Sequence, residues 1–196
     1  MLPPLFPVLK DEFGLSYASL GLVTGVFFAV SGIMQTAAGF AVDRYGPRAA
    51  LLFGLVVTSL GLLITALAPD YSMLIIGAIV GGVGNSMFHP ADMALLNAKI
   101  APQRLGPAFS FHTIGGYTGF IIGPLFVVAL AALAGWRQAV AASGLIGLVF
   151  AALFALQNSL TTTPVPRPPH DDRALARVPG DLALLLSPQI LGCFVF

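Results

Sequence analysis

Long apolar runs alternate with short charged breaks along this chain. Residues 16–42 contain no charged side chain, and neither do residues 49–68. A helix needs roughly 20 apolar residues to cross the hydrocarbon core of a bilayer. The pattern therefore predicts two membrane-spanning helices that are joined by a tight, charged hairpin at the membrane surface.

The same pattern predicts three further spans, at about residues 72–98, 107–134 and 138–157. Between them we expect a polar loop at 99–106 and a short turn at 135–137, whose tryptophan suits the membrane interface. Five complete spans indicate an all-α integral membrane protein.

The start of the chain is apolar but too short to cross a membrane. Residues 1–9 would reach only about 13 Å as a helix. Residues 10–12 are all charged and are expected to form the first loop. Ser16 or Ser19 can cap the helix that follows.

The composition changes after the fifth span. Residues 158–181 are rich in proline, threonine and charge, which predicts an exposed linker. Residues 182–196 are apolar again but too few for a full crossing. We therefore expect a fragment of a longer protein, with a helical bundle at 1–157, a linker and the start of a further span.

Composition also excludes several classes of protein. The chain is 57% hydrophobic and 9% charged, which fits neither a soluble globular domain nor a disordered one. Its net charge of +1 comes from dispersed bases, so no nucleic-acid surface is expected. A single cysteine, Cys193, provides neither a disulfide nor a zinc site. The phosphate-loop, zinc-protease and nucleophile-elbow motifs are absent, so we expect no enzyme activity, no cofactor and no metal.

The bases are distributed unevenly over the two sides of the predicted bundle. Two of the nine, Lys10 and Arg137, lie on one side and seven lie on the other. Because loops rich in lysine and arginine stay in the cytoplasm, the seven-base side is expected to be cytoplasmic. That side carries the hairpin, the 99–106 loop and the 158–181 linker. Its bases are Arg44, Arg48, Lys99, Arg104, Arg167, Arg173 and Arg177.

The charged hairpin carries glycines, an acid and bases at fixed offsets, in the pattern Gly-x-x-x-Asp-Arg-x-Gly-x-Arg. A basic loop alone would explain the arginines but not the glycines or the acid. The pattern resembles the signature between the second and third helices of major facilitator superfamily transporters. The resemblance implies that these residues form a cytoplasmic gate. They are Gly39, Asp43, Arg44, Gly46 and Arg48.

Further stretches resemble the same family. Gly119, Gly123 and Pro124 match the Gly-x-x-x-Gly-Pro pattern in the fifth helix of antiporter-type members, and Gly-Trp-Arg at 135–137 is common at that family position. Residues 87–92 resemble the fosmidomycin-resistance group of exporters. The likeness therefore covers nearly all of residues 1–196.

This resemblance implies a fold and a function. The fold is a major facilitator-type six-helix half-bundle, truncated in helix one and at the start of helix seven. The function is secondary active transport of a small molecule in the cell membrane, as a proton-coupled exporter of a drug or small organic anion. Protons, membrane lipid and a missing carboxy-terminal half would be its partners. Drug/proton antiporters usually carry an arginine in helix four, but His89 is the only basic residue between Arg48 and Lys99.

Asp92 is the acid predicted to lie inside a span. An ionisable group costs about 3 kcal/mol or more there unless it faces a partner or a cavity. Asn85, His89 and Asp92 are spaced by four and three residues, which predicts one polar helix face. Pro90 is expected to interrupt the hydrogen-bond ladder near Ser86.

The next span brings a second histidine to the same depth. Antiparallel packing across the 99–106 loop puts His112 beside Asp92 and Gly115 near His89. Because histidine changes charge between about pH 5 and 8, a carboxylate beside it can form a site that carries a proton. Gln35, on a polar face of the first full span, is a further candidate for the cavity.

Glycines recur every four residues in two of the spans. Small residues at this spacing allow helices to approach closely, so both stretches are expected at helix contacts. They are Gly77 and Gly81 in one span, and Gly115, Gly119 and Gly123 in the next.

Several alternatives fit the same residues. Asp92 could pair with Lys99, and His89 could be a buried donor to the backbone. The fold could equally serve a proton-coupled uptake symporter, or a helper subunit with no pathway of its own. In a different class, His89, Asp92 and His112 could be the ligands of an intramembrane metal-dependent hydrolase.

Overall fold

The structure of the chain, a computed structural model, describes residues 2–157. The predicted linker at 158–181 and the apolar run at 182–196 lie outside the described residues. In the described range the chain is built from helices and short connections. The α-helices are α1 (Phe6–Phe13), α2 (Tyr17–Tyr45), α3 (Pro47–Ala66), α4 (Tyr71–Asn85), α5 (Phe88–Lys99), α6 (Leu105–Ala134) and α7 (Trp136–Leu156), with 3-10 turns at Pro3–Leu5 and Pro102–Arg104.

Five stretches of the described helices are long and apolar enough to cross a membrane. They are α2, α3, α4 together with α5, α6 with the turn before it, and α7. This confirms the five predicted spans, and the boundaries of the helices lie within a few residues of the predicted ones.

The predicted first loop at residues 10–12 is wrong, because α1 continues through these charged residues to Phe13. It ends at Gly14, which adopts the left-handed conformation with φ 64° and lets the Leu15 N–H reach the Lys10 carbonyl at 3.1 Å. The next helix starts as predicted: the Ser16 hydroxyl accepts a hydrogen bond from the Ser19 N–H at 3.0 Å and caps α2.

Two glycines with positive φ make tight turns, one just before α3 and one just before α7. Gly46 (φ 85°) joins α2 to α3, and Pro47 is the first residue of α3. Gly135 (φ 93°) joins α6 to α7. The predicted turn is thus confined to Gly135, because Trp136 already begins α7. We call the end of the bundle with Gly46 the hairpin end, and the end with Gly135 the tryptophan end.

The span formed by α4 and α5 is interrupted at Ser86–Met87. Here the Met87 N–H bonds to the Gly84 carbonyl at 3.2 Å, three residues back instead of four. Pro90 has no N–H with which to reach the Ser86 carbonyl, and its ring crowds that carbonyl. The predicted interruption near Ser86 is confirmed.

Glycines allow α3 and α4 to pack against each other without intervening side chains. A Cβ atom on Gly61 would lie 2.5 Å from the Gly81 nitrogen, and one on Gly77 would lie 2.9 Å from the Gly61 carbonyl oxygen. The predicted helix contact at Gly77 and Gly81 is therefore confirmed.

The glycines of α6 behave differently. A Cβ atom on Gly115 or on Gly119 would have no neighbour within 4 Å. Their predicted role in a helix contact is wrong within residues 2–157, because the glycine spacing permits close packing but does not supply the second helix.

Trp136 is the first residue of α7 and is buried inside the protein. It is 4% exposed and belongs to an apolar cluster with Leu5, Leu9 and Val127. Its indole N–H donates to a carboxylate oxygen of Glu12, so its polar edge is satisfied inside the protein. This cluster joins α1, α6 and α7 near the tryptophan end.

Candidate functional site

Asp92 and His112 face each other across α5 and α6. The Asp92 Oδ2 atom lies 3.5 Å from the His112 Nε2 atom, and the side chains are 24% and 38% exposed. The predicted juxtaposition of these two residues is confirmed. The pair can exchange or hold a proton, because carboxylate and imidazole are joined at a distance that suits an ion pair when the imidazole is protonated.

The other residues predicted for this site do not join the pair. Asn85 lies before the helix interruption and donates from Nδ2 to the Ser31 hydroxyl of α2 at 2.8 Å. His89 is exposed and Gln35 is half-buried. Asn85 therefore does not join Asp92 on the predicted polar face, because Asn85 binds to α2 whereas Asp92 pairs with α6. His89 lies near Asp92 on the same helix. His89 also does not pack on Gly115, around which there is open space.

The hydrolase alternative required three metal ligands in one place. Within residues 2–157, no three histidine, cysteine, aspartate or glutamate side chains are grouped so that they could hold a metal ion. His89, Asp92 and His112 all lie in this range, so they do not form the metal site that this alternative needs.

The signature hairpin has an exposed part and a part that contacts α7. Asp43 and Arg44 are exposed, and the Arg44 guanidinium lies 5.5 Å from the centre of the Tyr45 ring. Arg48 instead donates from Nη2 to the Ala155 carbonyl of α7 at 2.7 Å. Gly39 has open space where a Cβ atom would be.

The antiporter-like motif occupies the middle of α6. Pro124 lies inside this helix, and Gly119 before it is exposed. Val127, one turn after the proline, is fully buried. The motif therefore marks the boundary between an exposed and a packed part of α6.

A cluster at the tryptophan end was not identified from the sequence. Arg137 donates to the Ala66 carbonyl at 3.1 Å, to the Ala68 carbonyl at 2.7 Å and to Glu12 Oε1 at 2.8 Å. Its guanidinium also lies 4.5 Å from the centre of the Trp136 ring. The Gly-Trp-Arg motif pointed to these residues, but nothing in the sequence pointed to Glu12 as their partner.

Comparison with known proteins gives a consistent result. The sequence profile of the Major Facilitator Superfamily matches residues 1–196. The fosmidomycin resistance protein of Escherichia coli (strain K12) is 32% identical over 129 residues, which cover 65% of this chain and 31% of that protein. The uncharacterized MFS-type transporter YfnC of Bacillus subtilis (strain 168) is 28% identical over 157 residues, covering 78% and 38%.

A third relative comes from another bacterial lineage. The multidrug resistance protein B homolog of Mycobacterium tuberculosis (strain ATCC 25618 / H37Rv) is 33% identical over 146 residues, which cover 72% of this chain and 27% of that protein. The chain thus spans about a third of the length of the curated relatives it matches.

Proposed function

The chain belongs to the Major Facilitator Superfamily, and from this premise we propose that it provides membrane spans of a secondary transporter that exports a small molecule in exchange for protons. The observation that carries the proposal is the Asp92–His112 pair, which joins α5 and α6 at 3.5 Å. A carboxylate inside a membrane span is costly and is retained where it serves an ion or substrate pathway.

Asp92 is suited to carry the coupling proton. It is only partly exposed, and the titratable side chains facing it are His112 from α6 and His89 from its own helix. A proton that binds Asp92 removes the negative charge that attracts His112, so binding changes the force between two helices. That change links the protonation state to the arrangement of the spans.

Export is favoured over uptake by the relatives. Two of them are named for resistance to fosmidomycin and to multiple drugs, and resistance is a consequence expected of efflux. We propose a drug or a small organic anion as the substrate, with a phosphonate such as fosmidomycin as the first candidate. Since the chain spans about a third of its relatives, we propose that a carboxy-terminal half completes the pathway.

The hairpin end is proposed to face the cytoplasm. It carries Arg44, Arg48, Lys99 and Arg104, whereas the tryptophan end carries Lys10 and Arg137. Positive charge near span ends is retained on the cytoplasmic side. Asp43 and Arg44 are exposed at this end, where a gate that closes against a second half would need them.

The proposal is tested with the complete reading frame that contains this chain, expressed in cells from which other exporters have been deleted. We expect expression to raise resistance to fosmidomycin. In inverted membrane vesicles, adding fosmidomycin should dissipate a pre-formed pH gradient, because substrate and protons exchange. Asp92→Asn should abolish both effects, since asparagine keeps the shape of the side chain but cannot titrate.

The matched control is Asp70→Asn. Asp70 accepts a hydrogen bond from the Met73 N–H at 3.0 Å and caps α4, and asparagine caps helices equally well. This variant should transport normally. Proton-coupled transport that persists in Asp92→Asn at normal expression would contradict the assigned proton site, and accumulation of drug inside cells would instead favour an uptake symporter.

A further inference from the structure

The interruption between α4 and α5 rests directly on the backbone of α3. A Cβ atom on Gly84 would lie 2.4 Å from the Thr58 nitrogen, and one on Gly54 would lie 3.0 Å from the Gly84 carbonyl oxygen. The two helices therefore meet here backbone to backbone. Such van der Waals contact sets how closely α4 approaches α3, but it is not directional and does not select the direction in which the chain continues.

A directional contact joins the same point to α2. Asn85, the last residue of α4, donates from Nδ2 to the Ser31 hydroxyl at 2.8 Å. Ser31 is only 7% exposed, so this hydrogen bond is largely shielded from solvent. Inside a membrane span few other partners are available, and a buried polar group that loses its partner is left unsatisfied. The end of α4 is therefore held on α2 at one defined position.

The direction of α5 decides whether Asp92 meets His112. The chain between α4 and α5 is weakly hydrogen-bonded, since the Met87 N–H reaches back only three residues and Pro90 has no N–H. Asp92 lies five residues beyond Met87, about 7.5 Å along a helix. A change of about 20° in the direction of α5, away from α6, would move Asp92 by roughly 2.5 Å. The 3.5 Å contact between Asp92 and His112 would then be broken.

An apolar contact holds α5 beside its neighbours but does not replace this control. Ala91 is fully buried in one cluster with Val42 of α2 and Ala50 of α3. Because these side chains are small and apolar, their contact opposes separation of the helices more strongly than sliding or rotation. A directional bond is needed to fix the course of α5, and Asn85 provides one where the interruption begins.

We propose that Asn85 is a positioning residue for Asp92. Its hydrogen bond to Ser31 fixes the interruption on α2, so that α5 leaves it in the direction that presents Asp92 to His112. Asn85 makes no hydrogen bond to this pair and acts on it through the course of α5. This role rests on the proposed function for what the proton does at Asp92. Its test is a titration without substrate, so a failure of positioning and a failure of transport are distinguishable.

The test measures the protonation of Asp92 by infrared spectroscopy, with the complete protein that contains this chain reconstituted in lipid vesicles. The carboxyl band that is lost in Asp92→Asn belongs to Asp92, and its intensity against pH gives a midpoint. The titratable side chains that act on Asp92 are His112 from α6 and His89 from α5. A charged partner within about 4–6 Å changes such a midpoint by about one pH unit or more. His112→Gln therefore defines the midpoint of an Asp92 that has lost this partner.

Asn85→Ala and Ser31→Ala should each move the midpoint by about one pH unit or more, to the value of His112→Gln. Each variant removes one end of the hydrogen bond, and displacement of Asp92 has the same effect as loss of the imidazole. Asn85→Ala added to His112→Gln should cause no further shift, because Asn85 acts through the pair. A loss of packing alone would not produce this pattern.

The matched control is Asn97→Ala. Asn97 is an asparagine of the same span, but its amide donates to the Met93 carbonyl of its own helix at 2.8 Å. This variant should keep the parent midpoint, and size-exclusion chromatography should show that each variant compared is folded. A parent midpoint in Ser31→Ala, which removes a single oxygen atom, would overturn the positioning role even if Asn85→Ala did not fold. So would a further shift in the double variant, or an equal shift in Asn97→Ala.

Discussion

Arg48 and Arg137 cap each other's helices. Arg48, the second residue of α3, donates to the Ala155 carbonyl near the end of α7, at 2.7 Å. Arg137, the second residue of α7, donates to the Ala66 and Ala68 carbonyls at the end of α3. A cation at a helix C-terminus satisfies unpaired carbonyls and opposes the negative end of the helix dipole. The two antiparallel helices are thus fastened at both ends.

The local sequence explains why the two arginines are equivalent. Each is the third residue of a Gly-x-Arg triplet, Gly46-Pro-Arg48 and Gly135-Trp-Arg137, and each glycine has positive φ. The glycine reverses the chain and places the arginine in the first turn of the new helix, beside the last turn of its antiparallel neighbour. We call α3 and α7, fastened in this way, the frame.

The first prediction concerns these caps. Hydrogen bonds to a charged group contribute about 1.5–3 kcal/mol, less where the group is partly exposed. Arg137→Gln and Arg48→Gln should each lower the free energy of unfolding by about 1–2 kcal/mol, because each removes a charged donor from carbonyls at a helix end. Arg44→Gln is the control, because its side chain is exposed, and should change stability by less than about 0.5 kcal/mol. Unfolding in detergent mixtures, followed by circular dichroism, measures these differences.

Since the two caps lie at opposite ends of α3, their effects should add in the double variant. A loss of stability in the double variant that is much smaller than the sum of the single losses would show that the caps are not independent. If Arg137→Gln were as stable as the parent chain, the role of Arg137 as a cap would be contradicted.

The second prediction concerns the turn glycines. Gly46 and Gly135 combine φ 85° and 93° with ψ 156° and 158°, a region that other residues occupy only with strain. Gly14 has φ 64° and ψ 29°, where asparagine is tolerated. Gly46→Asn and Gly135→Asn should each destabilise by about 1–3 kcal/mol. Gly14→Asn should cost less than about 1 kcal/mol.

The same detergent unfolding assay separates these cases, and the identical substitution at three positions makes them directly comparable. If all three variants lost equal stability, backbone conformation would not be the cause.

Much of the fold could be predicted because membrane spans are recognisable from uninterrupted apolar length alone. The Asp92–His112 pair could also be predicted, since two spans joined by a short loop must be antiparallel, and counting from the loop gives the depth of each residue. Pro90 located the helix interruption through its missing N–H.

The sequence could not reveal which contacts are made between distant segments. Glu12 and Arg137 are 125 residues apart, and no local pattern connects them. Arg48 belongs to the family signature at the hairpin, and no local pattern shows that it also reaches the end of α7. Glycine spacing predicted packing in α4 and α6 equally, yet Gly77 and Gly81 meet a partner helix whereas Gly115 and Gly119 have open space around them within the described residues.

The third prediction uses this difference between glycines. Gly61→Ala would place a Cβ atom 2.5 Å from the Gly81 nitrogen, so α3 and α4 must separate. Such overpacking costs about 1–3 kcal/mol. Gly115→Ala meets nothing within 4 Å and should be neutral or slightly stabilising, because alanine favours helix more than glycine does. We expect Gly115→Ala to be more stable than Gly61→Ala when thermal stability in detergent is measured by size-exclusion chromatography. The reverse ranking would contradict the close packing of α3 on α4.

The fourth prediction concerns orientation. If the hairpin end is cytoplasmic, a cysteine at Tyr45 should be protected from a membrane-impermeant maleimide in intact cells, whereas one at Leu67 should react. Both side chains are well exposed in the structure, at 67% and 76%, so access to solvent within the protein does not distinguish them. The labels are placed in a Cys193→Ser background. After the cells are permeabilised, both positions should react. Labelling of position 45 alone in intact cells would reverse the assigned orientation.

The last prediction separates the gate from the frame. Asp43 is exposed at the hairpin end, and the hydrogen bonds of the frame do not include it, whereas Arg48 belongs to the frame. In the complete reading frame, Asp43→Asn should therefore lower the transport rate without lowering thermal stability. Arg48→Gln, in contrast, should lower thermal stability. Asp11→Asn is the matched control, because Asp11 is also exposed but lies near the tryptophan end. Normal transport in Asp43→Asn would mean that the exposed acid of the signature does not act as a gate. A loss of thermal stability in that variant would instead assign Asp43 to the frame with Arg48.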